Sequence, residues 1–426
     1  MTTKLLGRRW RGALAALTIL ATVVALVAWR NVAGEARIEP GAAQVPASAG
    51  VIARGAYLAR AGNCIGCHTT AAGQAFAGGR GVDTPFGVVY APNITPDDQT
   101  GIGTWSSAEF WRAMHHGRSK SGRLLYPAFP YPSFTNVTRE DSDALYAYLR
   151  SVKPVGQPNL EHGLHFPYDT QAALAVWRAL YFRPSEFAAE PKQSAEWNRG
   201  KYLVQGLGHC AACHSDRNFL GGTSLKTEFA GGLMPDATWY APSLATPKEA
   251  GVQGWPKSEV VRLLKTGVSE HASVAGPMAE VVFSSTQYLT DQDLDAMTQF
   301  LASLPERQPE PAKTDRVDAG GFARGGKVYE AQCASCHGDR GEGVPNIYPA
   351  LAGNRAVNLG SYDNLVQVIR HGGFAPTTAG NPAPFGMPPF GQTLNNSDLA
   401  AVVTYIRRSW GNAAAPVSSL EVLRVE

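Results

Sequence analysis

Every cysteine in this 426-residue chain belongs to a C-x-x-C pair followed at once by histidine. The three strings are Cys64-Ile65-Gly66-Cys67-His68, Cys210-Ala211-Ala212-Cys213-His214 and Cys333-Ala334-Ser335-Cys336-His337. Six cysteines in an exported chain suggest disulfides, and a lone C-x-x-C suggests a redox pair. Neither use requires a histidine after the second cysteine in all three copies. A structural zinc site needs further Cys or His ligands at matching spacing, and the sequence offers none. Covalent haem attachment requires this spacing. Two thiols add across the two vinyl groups, and the adjoining histidine is held beneath the ring as the proximal iron ligand. The sequence therefore predicts three haems c, with His68, His214 and His337 on the irons.

The motifs divide the chain into repeats. Cys64 and Cys210 stand 146 residues apart, and Cys210 and Cys333 stand 123 apart. Each motif follows a similar helix, read as Gly55-Ala56-Tyr57-Leu58, Gly200-Lys201-Tyr202-Leu203 and Gly326-Lys327-Val328-Tyr329. Each section closes on an amphipathic helix with an acidic start: Glu140 to Leu149, Asp291 to Leu304 and Asn396 to Arg408. Thr290 caps the second, and Asn395 or Asn396 the third. Tyr90-Ala91-Pro92 precedes Trp105 by the same interval as Tyr240-Ala241-Pro242 precedes Trp255, the mark of a duplicated unit. Connectors rich in proline, Lys153 to Pro167 and Pro305 to Ala319, separate the sections. A section of about a hundred residues is small for an independent core, and a buried haem supplies the missing apolar centre. The expected fold is all-α, three tandem class I-like cytochrome c domains behind an N-terminal transmembrane helix. Its parts are a flank and anchor at 1–32, domains at 50–153, 191–305 and 320–412, and linkers at 154–190 and 306–319.

Lys4, Arg8, Arg9 and Arg11 precede an uncharged run from Gly12 to Trp29. The run is nearly the length of a bilayer-crossing helix, and it exceeds the apolar core of an ordinary signal peptide. An uncleaved anchor is the favoured reading, with a cleaved signal peptide the alternative. In either case the basic flank stays in the cytoplasm and the remainder is exported. The formal net charge of +3 gives no reason to expect nucleic acid as a partner.

Methionine is the common second ligand of an electron-transfer haem, and there are only six to consider. Met387, in Phe385-Gly386-Met387-Pro388-Pro389, and Met278, in Gly276-Pro277-Met278, precede the closing helices of sections three and two. Both are expected distal ligands. Met234 is a weaker rival, and Met297 reads as helix core. Section one breaks the pattern, because its loop Tyr126-Pro127-Ala128-Phe129-Pro130-Tyr131 carries a phenylalanine that cannot bind iron. Its candidates are Met114, His115 and His116, and a five-coordinate iron is a further option. Four further histidines, His162, His165, His209 and His271, are given no chemistry.

Several strings carry a family resemblance. Ala91-Pro92-Asn93-Ile94-Thr95-Pro96, Thr100-Gly101-Ile102-Gly103-Thr104-Trp105, Leu125-Tyr126-Pro127-Ala128 and Gly276-Pro277-Met278-Ala279-Glu280-Val281-Val282 resemble the triple-haem cytochrome c subunits of bacterial membrane-bound dehydrogenases. The similarity runs from about Val51 to Trp410. It implies an electron-transfer subunit on the inner membrane with its haem domains in the periplasm. It further implies a quinoprotein, flavin or molybdenum dehydrogenase as partner, and ubiquinone or a terminal oxidase as acceptor. Phe129 departs from that family, many of whose members have methionine there, so the first haem's distal ligand does not carry over. Trp177-Arg178-Ala179-Leu180-Tyr181-Phe182 is similar to subunits that pair with molybdenum hydroxylases. Two other readings remain: a haem enzyme with an open first haem, and a free-standing quinol-linked cytochrome.

Overall fold

The computed structural model describes residues 2–38, 47–224, 226–236, 238–270, 272–308, 316–345 and 347–425, with no side chains described for residues 2–9. The side chains of Lys4, Arg8 and Arg9, residue His271 and residues 309–315 of the second connector lie outside that description.

Helix α1 (Thr2–Val32) contains a stretch, Trp10–Val32, long and apolar enough to cross a membrane. Its last turn is fastened to helix α5 (Gln171–Tyr181), which forms in the first connector behind the cap Thr170. Asn31 donates to the Ala175 carbonyl at 2.9 Å and accepts from Arg178 Nε at 3.0 Å. Just beyond the helix, Glu35 accepts from Arg118 Nε at 2.9 Å.

One helix crossing is repeated in all three sections. The opening helices are α2 (Ala49–Ala61), α6 (Ala195–Lys201) and α10 (Ala319–Gln332). The closing helices are α4 (Arg139–Ser151), α9 (Asp291–Ala302) and α12 (Asn396–Arg408), capped by Thr138, Thr290 and Asn395. Gly55, Gly200 and Gly325 sit where each pair touches. A β-carbon there would lie 2.6, 2.5 and 2.6 Å from the carbonyl carbons of Ala144, Ala296 and Ala401. Only a residue without a side chain lets the backbones approach this closely. The third crossing glycine is Gly325, one residue earlier than the sequence alignment on Gly326 suggests. The distance from crossing glycine to first cysteine is 64 − 55 = 9, 210 − 200 = 10 and 333 − 325 = 8. The longest interval contains a π-helical turn over Tyr202–Leu207, which takes up the extra residue.

Sections one and two are joined about a pseudo-twofold relation. Within each section an arginine from the opening helix grips an aspartate of the closing helix. Arg54 Nε meets Asp141 at 2.7 Å, and Arg199 grips Asp293 through two bonds of 2.8 Å. Each aspartate then accepts a tyrosine hydroxyl from the other section, Tyr202 to Asp141 and Tyr57 to Asp293, both at 2.6 Å. The same hydroxyls accept the backbone N–H of the opposite cap residues Thr138 and Thr290. Section three keeps the ion pair, Arg324 with Asp398, but has Lys327 where the tyrosine would be. Accordingly one apolar cluster, including Leu58, Leu145, Leu203 and Leu294, runs through sections one and two, while section three has its own.

Burial works against the Asp293 carboxylate, but the Arg199 and Tyr57 bonds outweigh it and leave the carboxyl below its ordinary range. A carboxyl depressed on folding contributes stability above its unfolded value of about 4, and that contribution is lost as pH falls further. Tyr57→Phe and Tyr202→Phe should each lower the melting stability of sections one and two by about 1–2 kcal/mol at neutral pH. The Tyr57→Phe deficit should shrink below about pH 4, because the protonated carboxyl no longer holds its partners strongly. An undiminished deficit in acid would place the energy elsewhere.

Section three packs its core from Tyr329, Val366, Leu399 and Ile406, and extends past the expected boundary at 412. Helix α13 (Ser419–Leu423) lies on α12, with Val417, Val422 and Val425 sealing the same cluster. Section three meets section two at several points: Asn364 exchanges two hydrogen bonds of 2.8 Å with the backbone of Tyr240, and Arg355 donates to the Gly251 carbonyl at 2.7 Å and lies over the Trp255 ring. The chain is mostly helical. Short antiparallel ladders supplement the helices: β1 (Gly81–Thr84), β2 (Gly87–Tyr90) and β3 (Gly163–Leu164) in section one, β4 (Gly232–Leu233) with β5 (Tyr240–Ala241) in section two, and β6 (Gly373–Phe374) with β7 (Gly386–Met387) in section three.

Candidate haem attachment sites

Each C-x-x-C string forms a single tight turn just after its opening helix. Cys64–Cys67 is α-helical, Cys210–Ala212 is a 3₁₀ turn and Ala334–His337 is α-helical. In each, the histidine N–H bonds back to the first cysteine's carbonyl at 3.0 Å, which fixes imidazole and thiols in one local frame. Asn63 and His209 take the left-handed conformation immediately before the first cysteine of their motifs. None of the six cysteines forms a disulfide. Burial pushes the Cys64 and Cys210 thiols up to about 12 and Cys333 up to about 11.

The three imidazoles share an orienting contact. His68 Nδ1 lies 2.7 Å from the Pro92 carbonyl, His214 Nδ1 2.7 Å from that of Pro242, and His337 Nδ1 3.0 Å from that of Pro349. A carbonyl accepts only, so Nδ1 carries the proton and Nε2 keeps its lone pair for a metal. Burial lowers the pKa of all three histidines and so favours this neutral form.

A glycine with positive φ holds each proline carbonyl in place. Gly78, Gly231 and Gly343 donate their N–H to the carbonyls of His68, His214 and His337 at 2.8, 2.9 and 2.8 Å. Their absent β-carbons would stand 2.6, 2.7 and 2.7 Å from the nitrogens of Asn93, Ser243 and Ala350, the residues after the three prolines. The Tyr-Ala-Pro repeat of the sequence thus supplies the carbonyl that accepts from the His68 and His214 rings. The repeat is visible in the sequence, but its partner histidine lies 24 and 28 residues away.

The donor set fits a haem c at each string, with two thiols in one turn beside a tautomer-locked imidazole. It does not fit a cluster of protein ligands. Among the described residues no group of three or more His, Cys, Asp or Glu side chains converges as a metal site.

The first two motifs lie against each other. Leu207, leading into Cys210, packs over Gly62, leading into Cys64, and a β-carbon on Gly62 would sit 3.4 Å from its methyl group. Burial raises the Cys67 thiol pKa, and charge on Cys213 of the second motif adds to the rise. Helix α8 (Pro277–Ser284) of section two reaches the first motif. Ser284 Oγ donates to Asn63 Oδ1 at 2.7 Å, and Glu280 pairs with Arg80, which also donates to the Gly66 carbonyl.

The expected distal ligands occupy half-buried positions. Met278 sits in the first turn of α8, after Gly276, whose β-carbon would meet the Trp239 ring. Met387 lies in β7, paired with Gly373 and packed against the section-three core. Met297 is buried helix core, as expected. In section one, Met114, His115 and His116 are all buried on helix α3 (Ser107–His116). Met114 belongs to the apolar cluster. His115 stacks on Trp111 at 4.3 Å, and its buried Nδ1 has no hydrogen-bond partner. Burial, with charge from His115 and three arginines, pulls His116 down to about 4. Phe129 packs on Phe134, which meets His209 edge-on at 5.5 Å beside the second motif.

The cytochrome c family profile matches residues 52–153 and 322–410, leaving the middle section unmatched. The cytochrome c subunit of the quinone alcohol dehydrogenase of Gluconacetobacter polyoxogenes is 40% identical over 87% of this chain and 83% of its own length. The gluconate 2-dehydrogenase cytochrome c subunit of Pantoea cypripedii is 37% identical over 87% of this chain and 88% of its own. A nicotinate dehydrogenase subunit of Pseudomonas putida is 41% identical over 84% of this chain, which spans only 30% of that longer protein. Together with the three C-x-x-C-H strings and their oriented histidines, these similarities assign the chain to the cytochrome c family, among the electron-transfer cytochrome c subunits of dehydrogenases.

Proposed function

We propose that this chain holds three haems c in three tandem domains and conveys electrons from a catalytic dehydrogenase to ubiquinone or a terminal oxidase. The supporting observation is the threefold recurrence of thiol pair, imidazole and proline carbonyl, present also in the section that the family profile leaves unmatched. Cys64 with Cys67, Cys210 with Cys213 and Cys333 with Cys336 would form the thioethers. His68, His214 and His337 would be the proximal ligands, and Met278 and Met387 the distal ligands of the second and third haems. Phe129 makes the first haem unlike the others, with Met114, His115 and His116 as its candidates.

A bound haem supplies one-electron iron chemistry. The chain's own groups fix its setting. The proline carbonyls hold the Nδ1 proton, which raises the basicity of the ligating nitrogen. The apolar cluster shared by sections one and two packs against Cys64, Ile65, Cys210 and Ala211 of their motifs. The contact between those motifs suits short-range transfer, and the Asn364–Tyr240 pair joins section three to the strand leading to Pro242. Section two is therefore the middle of the relay. Helix α1 would anchor the assembly in the bacterial inner membrane, with the domains in the periplasm.

Purification of the full chain from its native membrane tests this reading. The expected mass is that of the polypeptide plus three haems, with a dehydrogenase subunit co-purifying. Cys333→Ala should abolish stable attachment at the third site and leave two haems. A colourless chain, or an unchanged haem count in that variant, would refute the attachment scheme. Peroxide turnover by the isolated chain would favour a haem enzyme instead.

A further inference from the structure

The late turns of α1 and the outer face of α5 enclose a groove of about 360 Å³. Leu26, Val27, Val176 and Leu180 contribute apolar walls, and Arg30 and Arg183 complete the lining. The apolar residues are not core. Leu26, Val176 and Leu180 are each about half exposed on the chain itself, at 50%, 48% and 57%. Such a face is costly in water and suited to hydrocarbon.

The two guanidiniums differ from the arginines around them. Arg112 and Arg118 share the Glu35 carboxylate, and Arg178 bonds to Asn31. Among the described residues, neither Arg30 nor Arg183 pairs with a carboxylate. Arg183 donates to the Ala179 and Phe182 carbonyls, and Arg30 lies over the Trp29 ring. Partial burial and the nearby Arg30 charge both disfavour the charged form of Arg183. Two cations set against each other beside an apolar groove call for an anion attached to an apolar chain. Arg30 also stands two residues from the end of the membrane-crossing stretch at Val32, the level of lipid headgroups.

We propose that this groove binds an acidic phospholipid, with its phosphate held by Arg30 and Arg183 and an acyl chain along Leu26, Val27, Val176 and Leu180. The lipid would brace α1 against α5 and so fix the haem domains relative to the bilayer. A neutral quinone gives no reason for two arginines without carboxylate partners. The proposal rests on α1 lying in the membrane, and that premise has its own test. Carbonate washing should leave the chain in the membrane fraction, and its release would refute the premise whatever the groove binds.

The full haem-bearing chain would be reconstituted in nanodiscs of phosphatidylcholine with a minor share of phosphatidylglycerol, then washed in neutral detergent. Lipid retained by the protein would be read by mass spectrometry. Wild type should retain phosphatidylglycerol preferentially, and Arg30→Gln/Arg183→Gln should lose about tenfold of it. Arg37→Gln removes a charge nearby but outside the groove and should retain the lipid. Haem content and absorption spectrum, unchanged in all variants, would show that folding is intact. Equal retention of the two lipids, full retention by the double variant, or ubiquinone in place of phospholipid would each overturn the proposal.

Discussion

Valine in place of Gly200 should unfold sections one and two together while section three stays folded. The β-carbon alone would fall 2.5 Å from the Ala296 carbonyl carbon and 3.0 Å from the Phe300 β-carbon. Both neighbours belong to helix α9, so neither moves without displacing the closing helix. Overpacking at a crossing of two backbones leaves no flexible side chain to yield, and a cost of about 4 kcal/mol is expected. That is a large share of a domain's net stability of about 5–15 kcal/mol. The damage should spread because the two sections share one apolar cluster and exchange their tyrosine–aspartate bonds. Gly325→Val should instead unfold section three alone. Gly50→Ala, a helix position with open space around it, should be neutral or slightly stabilising. Circular dichroism melts with limited proteolysis of each section would read the outcome. Independent melting of sections one and two in Gly200→Val would contradict the shared core.

Some of this architecture is written locally and some is not. The C-x-x-C-H strings are legible because each is five consecutive residues of fixed spacing. The closing helices are legible because cap residues and apolar spacing mark them, and Thr290 and Asn395 cap where expected. The crossing glycine of section three reads one residue late in the sequence. Gly325 and Gly326 adjoin, and the glycine-to-cysteine interval varies with a π-helical turn that leaves no pattern in the sequence. The reciprocal Tyr57–Asp293 and Tyr202–Asp141 bonds join residues more than 60 positions apart, and no local period encodes them. Two-residue ladders such as β6–β7 are too short for an alternation to be read. Residues 413–425 lie beyond the third domain expected from the sequence, and Val417, Val422 and Val425 share no regular spacing that would mark them as core. Beneath them Arg407 binds the Ala415 carbonyl, a contact that no local pattern announces.

Arg407→Met should loosen the C-terminal tail from section three. Arg407 is fully enclosed, yet its guanidinium meets backbone carbonyls rather than a carboxylate: Ala415 at 2.9 Å, Val357 and Ser361 at 3.2 Å, and Gly360 at 3.4 Å. It therefore ties the tail to the segment 357–361 on the far side of α12. Burial disfavours its charge, and Glu421 and Asp363 partly compensate. Methionine fills much of the same volume but leaves those carbonyls without a donor, so a loss of about 3–5 kcal/mol is expected. Hydrogen exchange should rise across 413–425 and the third section's melting midpoint should fall, with sections one and two unaffected. Arg407→Lys keeps the charge but cannot span four carbonyls with one ammonium, so it should recover only part of the stability. Full protection of the tail in Arg407→Met would mean that the valines and the Thr404, Gln367 and Arg370 bonds to its backbone suffice and that the buried cation is dispensable.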